Sequence, residues 1–301
     1  MIRLANAPVS YGAFELTVGV LPNVPGPEEV LAAVADAGYE GIELGPPGYL
    51  GDEEVLRARL GRFGLSLAGG FIQVRFSQPE HWEEDLAAMT KTLDLLAAGD
   101  RRDARPVLAD FGSPVRVANP GRAAADRSLG LDEQGWRSLA DGVGRAAELA
   151  RARGFEPTFH HHAGTFVEAP WEIERLLELT DVGLLLDTGH LVLGGGDPLR
   201  ALRDWRERIN HLHVKDVRLD AAQEAIRDGA DMPECWRRGI FCELGAGDVN
   251  LDAFFADLER SAYTGWLVVE QDWVPGPHDD LSGPARAQAR NRSWLREHAG
   301  L

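Results

Sequence analysis

Short apolar runs alternate with amphipathic stretches along the whole chain, and this alternation limits the available folds more than any other feature. The runs have the length of buried strands, and the stretches between them carry apolar residues at helical spacing. Strands are predicted at residues 3–8, 39–44, 66–72, 106–110, 156–161, 183–187, 209–215 and 266–271. Helices are predicted at residues 27–37, 53–62, 79–97, 132–151, 170–179, 198–206, 251–261 and 284–298.

Eight strands that alternate with eight helices predict a closed parallel α/β barrel, the (β/α)8 or TIM barrel. The length of 301 residues is usual for this fold, and 44% apolar residues suffice for its core. A doubly wound open sheet is the alternative. Residues 8–14 (PVSYGAF), after the first strand, lack the phosphate-binding glycine pattern of that fold. We therefore expect one domain over residues 1–301.

Two connections, at residues 111–131 and 217–250, are longer than a barrel requires. Long ordered loops in compact domains are commonly lids or binding loops. Both follow predicted strands, so in a barrel both lie at the face where active sites form. We expect the segment 217–250 to act as a loop or lid over the site.

The net charge of −17 disfavours two classes of partner. Such a surface repels phosphate backbones and anionic lipids, so neither nucleic acid nor membrane is expected to bind. The N-terminus (MIRLANAPVSYG) has no charged-then-apolar leader, and no apolar run approaches the ~20 residues of a membrane span. We therefore expect a cytoplasmic protein. A homo-oligomer is also possible, because the exposed helices of such barrels often pair.

Metal-competent side chains end four predicted strands in the second half of the chain. The sequences there are HHH at 160–162, DTGH at 187–190, HLHVKD at 211–216 and VEQD at 269–272. None of these four segments by itself indicates a metal site, because a carboxylate at a strand end is usually a helix cap and a lone histidine is usually a core residue. In a closed barrel these ends meet at one mouth, and unpaired buried charge is costly without a compensating ion. The combination predicts a metal site.

Strand alternation selects among the candidate ligands, because side chains two residues apart share a face. The preferred set is His160, Asp187, His213 and Glu270. Mixed imidazole and carboxylate donors suit Mn²⁺, Co²⁺, Fe²⁺ or Zn²⁺ better than Ca²⁺ or Mg²⁺. His162 and His190 are then expected next to these ligands or facing the substrate.

These residues resemble the xylose-isomerase-like barrel superfamily, and the resemblance covers nearly the whole chain. The shared motifs are GIEL at 41–44, DTGH at 187–190, HLHVKD at 211–216, GAGD at 245–248 and VE at 269–270. The metal-ligating Asp, His and Glu of the family match Asp187, His213 and Glu270. Sugar epimerases of this family place a metal-ligating glutamate at the end of the fifth strand, where this chain has His160.

The segment HHHAGT at 160–165 is similar to the fifth strand end of the inosose dehydratases, and HVKD fits the same subgroup. The resemblance implies a lyase that removes water from 2-keto-myo-inositol with one Mn²⁺ or Co²⁺ ion and no organic cofactor. Zn²⁺ and Fe²⁺ stay open as alternatives. The substrate would be a small polyhydroxylated carbonyl compound. Dehydration by α-proton abstraction needs only one base and one acid.

The resemblance also suggests roles for individual residues. Glu270 or a histidine of the 160–162 triplet, His162 in particular, would remove the α-proton. Lys215 or His190 would help the hydroxyl depart as water, and these three side chains (His162, His190 and Lys215) would also contact the substrate.

Further residues are candidates for substrate binding. Glu43 would hydrogen-bond substrate hydroxyls or serve the structure alone. Trp236 and Arg237, with Arg238, would close over the site or belong to a surface helix with a packed tryptophan.

Three other functions compete with dehydration. A ketose or sugar isomerase or epimerase on the same scaffold would interconvert ketoses without loss of water. A repair endonuclease of the endonuclease IV type needs three zinc ions, but His81 is the only histidine before His160. A non-catalytic sugar-binding barrel would be expected to have lost part of the metal set.

Overall fold

The computed structural model describes residues 1–99 and 101–301 and contains a closed barrel of parallel strands. In chain order the strands are β1 (Ile2–Asn6), β2 (Gly41–Glu43), β3 (Ser66–Val74), β4 (Arg105–Asp110), β5 (Thr158–His160), β6 (Gly183–Asp187), β7 (Ile209–Val214), β8 (Asp216–Val217), β9 (Phe241–Cys242) and β10 (Gly265–Val269). Strands β1 to β7 and β10 form the barrel, which closes where β1 pairs with β10. The predicted eight-stranded α/β barrel is confirmed.

Helices connect successive barrel strands. They are α1 (Pro27–Asp36), α2 (Glu53–Phe63), α3 (Trp82–Ala98), α4 (Pro114–Val117), α5 (Glu133–Ala152), α6 (Pro170–Leu179), α7 (Thr188–Leu193), α8 (Pro198–Asp204), α9 (Leu219–Arg227), α10 (Met232–Arg237), α11 (Leu251–Arg260) and α12 (Ser282–His298). Proline opens α1, α6 and α8, where its fixed φ suits the first turn and its missing N–H costs nothing. Over the described residues, no helix is both long and apolar enough to span a bilayer.

Side chains alternate between the two faces of each barrel strand, and this decides which of them reach the interior. In β10, Leu267 and Val269 pack into the main core, whereas Trp266 and Val268 join a small cluster inside the barrel. Glu270 continues the inward series, two residues after Val268. The same alternation in β7 turns its two histidines, and the lysine that follows, toward the interior.

The long connections contain ordered elements that the sequence did not reveal. The segment 111–131 contains α4 and a short 3-10 turn at Arg127–Leu129. The segment 217–250 contains α9 and α10, and antiparallel β8 and β9 close its base. It has its own apolar cluster, with Met232, Cys235 and Phe241 among its buried members. Most of these elements have six residues or fewer, which is too short for a periodic pattern to be recognised. The nine-residue helix α9 is amphipathic, and its pattern could have been recognised.

A buried ionic cluster joins the connections after β4 and β5, and we call it the Arg116 clamp (Arg116, Glu168 and Glu172). All three side chains are fully buried. Arg116 Nη2 donates to Glu168 Oε2 at 3.0 Å and to Glu172 Oε2 at 2.9 Å. Glu168 Oε1 also accepts from the backbone N–H groups of Gly121 and Gly164. The clamp therefore fixes the backbone behind the histidine triplet.

Candidate metal centre and active site

The four predicted ligands come together at the carboxyl ends of the barrel strands. In His160, Asp187, His213 and Glu270, one candidate ligand atom each lies within 4.8 Å of the others. Asp187 Oδ2 is 3.8 Å from His160 Nε2 and 3.7 Å from His213 Nδ1, and His213 Nδ1 is 2.9 Å from Glu270 Oε2. All four side chains are buried. We call this group the ligand cluster.

Unpaired atoms of the ligand cluster fit a divalent cation. Among the described residues, Asp187 Oδ2 and His213 Nδ1 are buried and make no hydrogen bond of good geometry, although Lys215 Nζ lies 3.4 Å from the first atom and Glu270 Oε2 lies 2.9 Å from the second. The other Asp187 oxygen, Oδ1, accepts from the His190 N–H at 2.8 Å and caps α7. A buried acceptor without a donor costs about 1–3 kcal/mol, which an ion would remove. Two imidazoles and two carboxylates are donors that Mn²⁺, Co²⁺, Fe²⁺ and Zn²⁺ accept.

Glu43 lies behind His213 and orients its ring. Glu43 Oε1 is 3.1 Å from His213 Nε2 and 2.9 Å from His211 Nε2, so Nδ1 of His213 faces the ligand cluster. Burial alone would lower the pKa of His213, but Glu270 and Glu43 raise it to about 10. Gly69 leaves room for this carboxylate, since a Cβ there would lie 2.7 Å from Glu43 Oε1. These contacts favour a positioning role for Glu43.

Lys215 connects the ligand cluster to further polar groups. Its Nζ lies 2.9 Å from Glu270 Oε2, 2.6 Å from Asp272 Oδ1 and 3.1 Å from His190 Nε2. Burial would lower the pKa of Lys215, but Asp187, Asp272 and Glu270 together raise it. The ammonium therefore stays charged and donates hydrogen bonds to the groups around it.

A glycine makes room for the Lys215 side chain. A Cβ at Gly189, the third residue of DTGH, would lie 2.7 Å from Lys215 Cβ. The structure thus gives a packing reason for the small residue in this motif.

His162 and His190 are uncharged neighbours of the ligand cluster. Burial, followed by the charge of Lys215, lowers the pKa of His162 to about 4. Burial and His162 also lower the pKa of His190. The two rings lie 3.8 Å apart between centroids, and His162 Nδ1 is 2.8 Å from the Ala163 carbonyl oxygen. If Nδ1–H donates to that carbonyl, Nε2 of His162 carries the lone pair and can accept a proton.

A cavity of about 360 Å³ opens above the ligand cluster. Its lining includes the predicted residues Glu43, His162, Lys215 and Trp236. His190 is not among the lining residues and contacts the site through Lys215.

Arg237 was predicted to bind substrate, and the structure places it elsewhere. Its side chain is 57% exposed, is not among the lining residues and lies 3.5 Å from Glu234 Oε2. The reason is helical geometry, because Trp236 faces the cavity and the next residue on α10 is turned about 100° away. Arg238 likewise pairs with Asp228 and Glu234.

Several lining residues were not in the predicted set. They are Glu15, Gln73, Thr165, Asp272 and a group of apolar residues that includes Phe14, Phe71 and Met232. Asp272 could have been found, because it lies two residues after Glu270 and shares its face. The apolar residues carried no such signal, since their position depends on loop conformation.

Comparison with known proteins gives one family and consistent relatives. A family model described as Xylose isomerase-like TIM barrel matches residues 31–298. A protein called inosose dehydratase from Geobacillus kaustophilus (strain HTA426) is 34% identical over 283 residues, 91% of this chain and 88% of that protein. Another of that name, from Clostridium perfringens (strain 13 / Type A), is 30% identical over 279 residues, 91% of this chain and 90% of that protein.

The fold also matches solved structures. The "IOLI protein with a binding zinc atom" superposes with a TM-score of 0.71, and the match covers 99% of this chain and 100% of that one. At 14% sequence identity this likeness shows a shared fold alone.

Proposed function

Because this chain belongs to the xylose isomerase-like TIM barrel family, we propose that it is a metal-dependent dehydratase of a cyclic polyhydroxy ketone such as 2-keto-myo-inositol. The observation that carries the proposal is that an imidazole, His162, and an amine, Lys215, line one cavity and lie directly beside the ligand cluster. The two relatives called inosose dehydratase support the same reaction.

The proposed ion is one divalent cation held by the ligand cluster. When bound, it would polarise the ketone oxygen of the substrate and make the adjacent C–H more acidic. Mn²⁺ or Co²⁺ is the first expectation, and a zinc-binding structure with the same fold keeps Zn²⁺ open.

In the proposed reaction, His162 Nε2 removes the proton next to the ketone. The electrons of the broken C–H bond form the carbon–carbon double bond, and the C–O bond to the β-hydroxyl breaks. Lys215 gives its proton to that hydroxyl, which leaves as water. Glu270 is a weaker candidate base. Burial would raise its pKa, but His213 and Lys215 outweigh burial and lower it.

His190 lies between the proposed base and the proposed acid. Its Nε2 accepts from Lys215 at 3.1 Å, and its ring centroid is 3.8 Å from that of His162. We propose that His190 positions both side chains, and that His162 releases its proton and Lys215 regains one after the product leaves.

Epimerisation is less well supported. The resemblance implies paired glutamates for epimerases, one on each face of the substrate, and β5 supplies His160 at the position of one of them. We also propose that the segment 217–250 covers the substrate, because its α10 brings Trp236 and Met232 to the cavity.

The test incubates manganese- or cobalt-loaded protein with 2-keto-myo-inositol and follows the ultraviolet absorbance of the dione product. His162→Asn and Lys215→Met are expected to lower kcat by at least ~100-fold, since a positioned acid or base contributes about that much. Ketose epimerisation without dione absorbance would contradict the proposal.

A further inference from the structure

We infer that the mouth of the cavity binds an apolar substituent of the substrate, so that the preferred ketone is an ether or glycoside of which 2-keto-myo-inositol is the unsubstituted parent. This inference rests on the proposed function and names its substrate class more closely. Four features of the cavity lining support it.

Polar and apolar lining residues occupy different parts of the cavity. The barrel side carries the titratable groups, among them His162, His213, Lys215, Glu270 and Asp272. The residues contributed by the loops are mainly apolar: Pro8, Phe14, Leu16, Phe111, Val117, Met232, Pro233 and Trp236. A bound molecule would therefore have one end among hydrogen-bonding groups and the other end in contact with apolar side chains.

Three apolar side chains at the mouth are unusually exposed. Leu16, Phe111 and Val117 are 51%, 54% and 37% exposed, and all three line the same cavity. They come from two separate connections, after β1 and after β4, so their convergence is a property of the folded chain. Single exposed apolar residues are ordinary, but three that line one cavity together offer an apolar surface to a ligand.

The cavity is also large for a free cyclitol. Its volume of about 360 Å³ lies in the range of roughly 300–1,000 Å³ found for sites that bind drug-sized ligands. A single six-membered ring with small polar substituents would leave part of this space, on the apolar side, to water.

Charge argues against an anionic substituent. Among the described lining residues, Lys215 is the only lysine or arginine, and Asp272, Glu270 and Asp187 surround its ammonium. Glu15 adds a carboxyl group to the lining. A phosphate or carboxylate at the mouth would find no free cation there, whereas an alkyl or aryl group would bury Leu16 and Phe111.

The test compares the binding of scyllo-inositol with that of its mono-O-benzyl ether by calorimetry on manganese-loaded protein. All hydroxyls of scyllo-inositol are equivalent, so the ether has a single regioisomer. We expect the ether to bind at least about tenfold more tightly, because its ring buries apolar surface. In the double variant Leu16→Ser/Phe111→Ser this ratio should fall below about threefold. In Leu179→Ser, which alters an exposed apolar residue outside the lining, the ratio should not change.

Several outcomes would overturn the inference. These are an ether that binds no better than scyllo-inositol, no binding of either compound, or a ratio that the double variant leaves unchanged. Self-association that is lost in the double variant would assign the exposed residues to a contact between copies. Calorimetry measures binding without turnover. Tight binding of the ether, together with no dehydration of any ketone, would therefore contradict the proposed function but not the apolar binding surface.

Discussion

Two buried ionic clusters lie near each other in this barrel, and they balance their charge differently. The Arg116 clamp and the ligand cluster both hold two carboxylates away from solvent. The clamp contains its own side-chain cation, and its carboxylate oxygens also accept backbone N–H groups. Both clusters leave buried atoms without a hydrogen bond: Arg116 Nε, Arg116 Nη1 and Glu172 Oε1 in the clamp, and Asp187 Oδ2 and His213 Nδ1 in the ligand cluster. In the ligand cluster, however, one candidate ligand atom from each of four side chains lies within 4.8 Å of the others.

This difference in charge balance suggests that the clamp is a structural ionic cluster and that the ligand cluster is a site that would take up a cation. In the clamp, burial raises the pKa of Glu168 to about 7 despite Arg116, so a proton can neutralise the surplus carboxylate. In the ligand cluster, Lys215 Nζ lies 3.4 Å from Asp187 Oδ2 and 2.9 Å from Glu270 Oε2, and the four candidate ligand atoms face a common point beside it. We propose that a divalent ion occupies that point. The following experiments test whether the two clusters differ in this way.

The largest expected effect is on the ligand cluster. Asp187→Ala should remove the bound metal and lower kcat at least ~1,000-fold, since a Lewis acid contributes several kcal/mol of transition-state stabilisation. Elemental analysis and the dione assay measure the two losses together. Asp204→Asn, an exposed carboxylate on α8, is the matched control and should change neither. If metal-free Asp187→Ala protein still turned over substrate, the ligand cluster would not be a catalytic metal site, and it would not differ from the clamp in the proposed way.

The second effect is on the clamp. Arg116→Met leaves two buried carboxylates without their cation, and it should lower the free energy of unfolding by about 3–5 kcal/mol. Metal content at saturating metal should be retained. The triple variant Arg116→Met/Glu168→Gln/Glu172→Gln should regain part of the loss, because no buried charge is then left unpaired. Urea denaturation measures all three proteins, and equal stability of the single and triple variants would argue against a charge-balancing role.

Metal removal should have a smaller effect, confined to the ligand cluster. Metal at one hundred times its Kd should raise the free energy of unfolding by about 2.7 kcal/mol over chelator-treated protein. The increment should disappear in Asp187→Ala. If metal raised the thermal midpoint of Asp187→Ala as much as that of the wild type, the ion would bind elsewhere.

The smallest effect concerns pH and the clamp. The pKa of Glu168 is about 7 in the folded state against an ordinary value of 4.5, so between these values the folded chain holds a proton that the unfolded chain has released. Stability contributed by this group is therefore complete below pH 4.5 and is lost as pH rises toward 7.

Comparison with Glu168→Gln isolates this contribution. The stability advantage of the wild type over Glu168→Gln should shrink by about 1–3 kcal/mol between pH 5 and pH 8. Denaturation curves at both pH values measure it. An advantage that grows with pH would show that Glu168 is ionised throughout and that the clamp tolerates its surplus charge.

Both the barrel and the four residues of the ligand cluster could be predicted from the sequence, because both follow from the order and direction of the strands. A parallel barrel places all its strand ends on one face, so residues such as Asp187 and His213 converge regardless of loop detail. Alternation along the strand then separated His160 from His161, whose Nε2 accepts from the Asp187 N–H behind the ligand cluster.

Features that depend on loop conformation could not be predicted. Arg116 lies in a connection where arginine is normally solvated, and its burial depends on two glutamates more than 50 residues away. The sequence also does not show which side of α10 faces the cavity. It therefore predicts a substrate contact for Arg237, which lies outside the lining, and gives no signal for Met232, which is part of it. Glu43 could be recognised as part of a family motif, but its contact with His213 required the folded structure.

Asp187 uses its two oxygens for two tasks, and this limits how the position can change over evolutionary time. Oδ1 caps α7, while Oδ2 belongs to the ligand cluster. Asparagine or serine could keep the cap, so a lineage that no longer needs catalysis could drift to either residue and still fold. If the proposed function is correct, we expect the residue at this position in a homologue to separate active family members from folded but inert ones.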